Sequence, residues 1–116
     1  MITEPNTIKT LQTVTENKFI FRKTEGDFDC DYAVDYEMVD SDKLLCGIQI
    51  KPPSYWKDED HLVEARNFNK KKNDKYEKKF DVEVFTITAD PKGCIFSGPT
   101  KYEKQFAQFM TVVNNN

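Results

Sequence analysis

A mixed β-sheet flanked by helices, an α/β (α+β) architecture, is the fold class that this sequence predicts. Three observations carry it. Residues 32–39 and 44–51 alternate in the period of a strand and are joined by Asp40-Ser41-Asp42-Lys43, a polar hairpin loop. Residues 58–79 follow as the longest helical candidate, and residues 82–88, Val-Glu-Val-Phe-Thr-Ile-Thr, have the clearest strand composition. Strand pair, helix, strand is an order that sets helices against a mixed sheet.

The remaining elements follow in turn. Residues 5–17 read as a short helix with Ile8, Leu11 and Val14 on one stripe, weakened by Thr and Asn. Residues 18–23 alternate Phe19 and Phe21 against Ile20 and Arg22, as a first strand does. Residues 26–31 are a turn-prone acidic connection. Pro52 and Pro53 stop the strand at 44–51, since neither can donate to a ladder. The helix at 58–79 opens on three acids and closes on Lys78 and Lys79, matching the helix dipole, with Leu62, Ala65, Phe68 and Tyr76 as its apolar stripe. Asp90-Pro91-Lys92-Gly93 is a turn, residues 94–96 a short strand, residues 101–113 a final helix, and the three terminal Asn a frayed tail.

At 116 residues the chain is of single-domain size, and residues 1–116 are expected to form one domain. With 38% hydrophobic and 32% charged residues it belongs with globular rather than disordered chains. No apolar run reaches the roughly 20 residues needed to span a bilayer, and the N-terminus lacks a signal-peptide core, so no membrane role and a cytoplasmic location are expected. Cys30, Cys46 and Cys94 are widely spaced, with no CxxC, and are read as free thiols. His61, the one histidine, is read as a surface residue, and Tyr55 and Trp56 as aromatics that close the core.

The net charge of -3 conceals segregation along the chain. Between Glu25 and Asp42 there are eight acids and no base, whereas from Arg66 to Lys79 seven bases stand against Asp74 and Glu77. An acidic centre suits cations and a basic segment suits phosphates, the two needs of a magnesium-dependent nuclease.

Strand alternation predicts that Asp35 and Glu37 share one face and that Gln49 and Lys51 share the corresponding face of the next strand. Val34, Tyr36 and Met38 would then join Leu44, Cys46, Ile48 and Ile50 on the opposite, buried face, and only one side of the hairpin would be covered. Phosphodiester hydrolysis needs an activated water, charge stabilisation at phosphorus and help for the leaving oxygen, and a hard dication with oxygen ligands supplies much of each. Asp35, Gln49 and the Ile50 carbonyl are candidate ligands, and Lys51 is placed to orient water and hold transition-state charge.

These residues resemble the PD-(D/E)XK nuclease superfamily, whose motif is an acid on one strand and then acid, any residue, Lys on the next. Asp35 matches the first acid and Lys51 the lysine. Val34-Asp35 followed by Gly47-Ile48-Gln49-Ile50-Lys51-Pro52, an aromatic, a basic helix and an apolar strand is similar to the MjaI-type type II restriction endonucleases. The resemblance spans residues 32–96 and implies a restriction-endonuclease-like fold, in a chain shorter than the family's usual enzymes. It further implies magnesium as cofactor, double-stranded DNA as substrate and a homodimer as the working form. Asp35, Gln49 and Lys51 would be catalytic, and Arg66, Lys70, Lys71, Lys72 and Lys75 would grip phosphates. Gln49 departs from the family's acid, so another carboxylate would complete the metal site. Glu37 is the candidate about 7 Å along the same strand, with Glu16 and Glu64 as further ones. Two rival expectations are a structure-selective nuclease of junction-resolvase type and a non-catalytic relative that binds nucleic acid or protein.

Overall fold

The computed structural model describes residues 3–96 and 106–116. Its centre is an antiparallel meander of β1 (Ile20–Lys23), β2 (Tyr36–Asp40) and β3 (Lys43–Lys51). The long helix α3 (Asp60–Phe80) carries the chain over the sheet so that β4 (Glu83–Ala89) lies parallel to β3. The two-residue strand β5 (Ile95–Phe96) closes the order β1-β2-β3-β4-β5. Helix α1 (Thr3–Val14) precedes the sheet, a short helix α2 (Asp27–Tyr32) occupies the segment expected as a turn, and α4 (Phe106–Asn114) ends the chain. Residues 101–105 of the expected final helix lie outside the described residues. The expected frayed tail is instead bonded onto α4, through Asn115 N–H to Thr111 and Asn116 N–H to Val113.

The expectation of a single buried face is corrected. On one side α1 and α4 supply Ile8, Leu11, Phe109 and Val113, which pack on Tyr36, Met38, Cys46, Ile48, Ile50, Phe85 and Ile87. On the other, Tyr32, Val34, Tyr76 and Val84 form a second cluster, with Leu44, Phe80 and Val82 against it. Val34 and Leu44 therefore lie on the face opposite to the one expected, for two local reasons. Val34 precedes the regular strand, and the Asp35 N–H bonds to the carbonyl of Ile48, the residue that Tyr36 already pairs with, so the alternation slips between Val34 and Tyr36. The β2–β3 register passes from Met38–Cys46 to Val39–Leu44, so Leu45 is an extra, bulged residue and reverses the side of Leu44.

Helix α3 has the expected ends. Asp60 is in its first turn, Lys78 and Lys79 in its last, and Asp81 caps it in the left-handed region (φ 56°). Its inward face is not the expected one. Of Leu62, Ala65, Phe68 and Tyr76, only Tyr76 is buried and Phe68 is 61% exposed. The line that meets the sheet is Arg66, Asn69, Asn73, Tyr76 and Phe80, spaced three and four residues apart as a helix requires but mostly polar.

Close contact between α3 and β3 depends on Gly47. A Cβ there would meet Tyr76 Cε1 at 3.0 Å and Val34 Cγ1 at 3.2 Å. Tyr76 is fully buried against Tyr32 and Phe80 and has little room to retreat. Gly47→Ala is expected to destabilise the fold by about 1–3 kcal/mol through overpacking. Urea unfolding of the variant checks this, and wild-type stability would show that the contact is loose.

Candidate active site

Regular pairing between β2 and β3 ends at Tyr36–Ile48, and Asp35 stands where the strands part. Its backbone N–H donates to the Ile48 carbonyl at 2.8 Å, and its own carbonyl accepts from Thr24 N–H at 3.1 Å. The carboxylate then substitutes for the missing ladder: Oδ2 accepts the Ile50 N–H at 2.8 Å. An acid one residue ahead of β2, rather than in mid-strand as expected, is thus fastened between Gln49 and Lys51.

Gln49 is 2% exposed, and its Oε1 accepts a hydrogen bond from the Thr86 hydroxyl at 3.1 Å. A carboxamide oxygen has two lone pairs, so this bond leaves capacity for another partner. Lys51 is half-buried at the end of β3, with Nζ 5.1 Å from the centre of the Tyr55 ring. Beneath it Trp56 donates from Nε1 to the Thr88 hydroxyl at 2.8 Å. Tyr55 and Trp56 are both buried, as the core-closing reading expects. Ile50 lies in the β3–β4 ladder opposite Ile87.

Two polar residues of α3, seven positions apart, hold the chain on either side of this site. Arg66 donates to the Tyr55 carbonyl at 2.7 Å and the Lys57 carbonyl at 2.8 Å, fixing the turn into which Lys51 leads. Asn73 donates to the Tyr32 and Ala33 carbonyls at 2.9 and 3.2 Å, satisfying the end of α2 just ahead of Asp35. The Asn73 Oδ1 is buried without a hydrogen-bond partner among the described residues.

Two expected roles change as a result. Arg66 is 3% exposed and engaged with backbone carbonyls and the Trp56 ring, so it is a strut and not part of an exposed phosphate grip. Glu37 does not stand on a wet face. It is buried under α3, where Oε1 accepts from Arg22 at 2.9 Å and Oε2 from the Tyr76 hydroxyl at 2.7 Å. With an oxygen given to a cation and the other to a phenol, it is a poor candidate to complete a metal site. Glu16 and Glu64 are exposed, and among the described residues no three His, Cys, Asp or Glu side chains gather.

The acid that sequence reasoning missed is Glu4 of α1. Its carboxylate accepts from Lys23 Nζ at 3.1 Å. Burial would lower the Lys23 pKa, but the bond and charge of Glu4, with Tyr36 and Asp35, raise it above the ordinary lysine value. Tyr36 is raised by burial first, opposed by Lys23 and reinforced by Glu4 and Asp35. Glu4 and Asp35 thus act on the same two side chains from different elements. A cleft of about 350 Å³ lined by Arg22, Lys23, Thr24, Glu25 and Glu37 opens at this end of β1. No local signal marks Glu4, because its place depends on how α1 docks.

The other expected basic residues are on the surface. Lys70 pairs with Asp74 at 3.4 Å, Lys72 Nζ lies 4.5 Å from the Phe68 ring centre, and Lys75 and Lys79 lie 5.4 and 5.6 Å from that of Tyr32. Lys71 is exposed. His61 is a surface residue beside Glu59, and the three cysteines are free thiols, as expected.

Comparisons with known proteins give no relative. No family model, curated protein or solved structure matches the chain. No helix among the described residues is long and apolar enough to cross a membrane.

The buried groups make an alkaline prediction. Burial pushes the Cys46 thiol up to about 12, and burial together with the bond to Glu37 pushes the Tyr76 phenol above its ordinary range. Both groups keep their protons in the folded state at pH values where the unfolded chain releases them. Below the unfolded thiol's value, near 9, their contribution is fully present; above it, stability falls as pH rises, by up to roughly 1.4 kcal/mol per pH unit for each such group. Denaturant titrations between pH 8 and 10.5 should show the decline, and Cys46→Ala should make it shallower. An identical slope in that variant would contradict the assignment.

Proposed function

We propose that this chain is a magnesium-dependent nuclease that hydrolyses phosphodiester bonds of DNA, with a restriction-endonuclease-like core and a homodimer as the form that meets both strands of a duplex. The observation that carries this reading is the bond from Ile50 N–H to Asp35, which fastens a carboxylate to the β3 backbone between positions 49 and 51 where two strands diverge. The sheet order, with three antiparallel strands and an α3 crossover to a parallel fourth, is compatible with such a core.

The oxygen donors suit a hard dication in kind. Magnesium takes one or two carboxylates and fills the rest of its shell with water and substrate phosphate. Asp35 and Gln49, with the Ile50 carbonyl, are the residues that would hold it; Glu37 is withdrawn, and Glu4 is paired with Lys23 on the α1 side of the sheet. When bound, the ion would neutralise charge on the phosphate and acidify the attacking water. The protein's own groups do the positioning. Asp35 is fixed by its backbone and side-chain bonds before any ligand arrives, so its orientation needs no reorganisation. Lys51, held over Tyr55, presents an ammonium to a developing negative charge. Lys71, Lys72 and Lys75 supply phosphate contacts on the outer face of α3, with Lys70 weakened by Asp74.

A binding-only relative of the same core is the second reading, supported by the neutralisation of Glu37 and the sparse acids around Asp35. Digestion of supercoiled and branched DNA with magnesium, manganese or EDTA separates them, and also separates a duplex-cutting from a structure-selective enzyme. Lys51→Ala should fold normally yet lose cleavage by orders of magnitude. Wild-type rates in that variant would remove Lys51 from the mechanism.

Gln49→Glu tests the ion directly. A carboxylate in so buried a place is costly without a cation, so the variant should be less stable than wild type in EDTA and gain more from magnesium. Thermal denaturation with and without magnesium, and calorimetric titration, measure both effects. Equal or weaker magnesium binding in a folded variant would mean that Gln49 does not face the ion.

A further inference from the structure

Phe68 is the least expected residue on α3. It is 61% exposed, on the side of the helix turned away from the buried line, where an apolar ring gains nothing from the core. Lys71 and Lys72 lie one turn further along the same side and Lys75 two turns along. The Lys72 ammonium lies 4.5 Å from the centre of the Phe68 ring. Beyond them, Lys75 and Lys79 cluster over Tyr32, and among the described residues the only lysine of this helix in an ion pair is Lys70.

We infer that this outer face of α3 binds unpaired nucleotides, with Phe68 stacking on a base while Lys71, Lys72 and Lys75 hold the adjoining phosphates. The inference rests on nucleic acid being the ligand, and it deepens that reading by naming the form of nucleic acid. A protein-docking patch would be a continuous apolar area. Here a single ring stands one helical turn before Lys71 and Lys72 and one turn after Glu64, and the bases in excess beside it match a polyanion that also offers π faces. A regular duplex hides those faces in its stack, so the complementary partner is a single strand, a frayed end or a branch.

The test uses the full chain carrying Lys51→Ala, without divalent metal, so that cleavage does not interfere. Fluorescence anisotropy is measured with a labelled single-stranded DNA, the same sequence as RNA, and a blunt duplex, over a salt series. Phe68→Ala should weaken single-strand binding roughly tenfold, change duplex binding by less than about twofold and leave the salt slope alone, because the ring carries no charge. Phe68→Trp should retain affinity. Replacing Lys71, Lys72 and Lys75 by Gln should flatten the single-strand slope by up to roughly two units. The arm, DNA or RNA, that responds to Phe68→Ala identifies the strand type. Equal losses on single strand and duplex, or no loss on either single strand, would overturn the inference while leaving nucleic-acid binding intact. So would a wild-type dimer, seen by sedimentation, that Phe68→Ala converts to monomer with DNA binding unchanged. Failure of the Lys51→Ala parent to bind any nucleic acid would overturn the nuclease reading itself.

Discussion

A polar helix face laid against a polar sheet face is the constraint on which the candidate site depends. Burying an amide, a guanidinium or a carboxylate without a partner costs more than the bond it forms returns, so such groups must find partners or unfold the region around them. Arg66 and the Asn73 amide nitrogen find theirs in four backbone carbonyls, two on each side of the site, while the Asn73 Oδ1 has no partner among the described residues. Those carbonyls belong to segments with no ladder of their own, the turn after β3 and the bend between α2 and β2. The helix therefore supplies hydrogen bonds that the sheet cannot, and in doing so fixes where Asp35 and Lys51 begin and end their strands.

The same requirement sorts the charged residues by availability. Glu37 is spent on Arg22 and Tyr76, and Arg66 on the carbonyls; removing a partner from either arrangement would strand a buried charge. Lys51 is secured by a ring rather than by a counter-charge, so its ammonium stays available to an anion. Asp35 is held through the Ile50 backbone N–H, which fixes the orientation of its carboxylate. A site for a cation and a phosphate needs such fixed geometry beside an available ammonium.

Much of the architecture was legible in the sequence because it is written in local periodicity. Alternation around Tyr36 and Ile48, the prolines after Lys51 and the charge gradient of α3 each act within a few residues, and β1 to β5, α1 and α3 fall close to where they were expected, whereas α2 was read as a turn. The side of Val34 and Leu44 was not legible. A slip at Asp35, which together with Tyr36 opposes Ile48, and a bulge at Leu45 each displace the count by one, and neither residue is a glycine that would announce it. The inner stripe of α3 was misread for a different reason. Apolar content was used to choose among stripes of equal helical spacing, and here the sheet face opposite is itself polar at Glu37, Gln49 and Thr86, so the matching stripe is polar as well. Glu4 was beyond reach, since only the docking of α1 brings it to Lys23.

Charge segregation along the chain takes on its meaning only in three dimensions. The basic segment is divided by the helical period into two surfaces, an inner line of Arg66, Asn69 and Asn73 that builds the protein and an outer line of Phe68, Lys71, Lys72 and Lys75 that faces solvent or partner. Arg66 and the lysines are equivalent in a charge count but not in role, because the guanidinium fork can satisfy two carbonyls at once whereas an ammonium on a flexible stem keeps its charge in water. The net charge of -3 consequently does not describe what a phosphate would meet at α3. Within the Debye length of about 8 Å at physiological salt, a phosphate there would meet the ammonium groups of Lys71, Lys72 and Lys75, which are in no ion pair among the described residues, with Asp74 paired to Lys70 beside them.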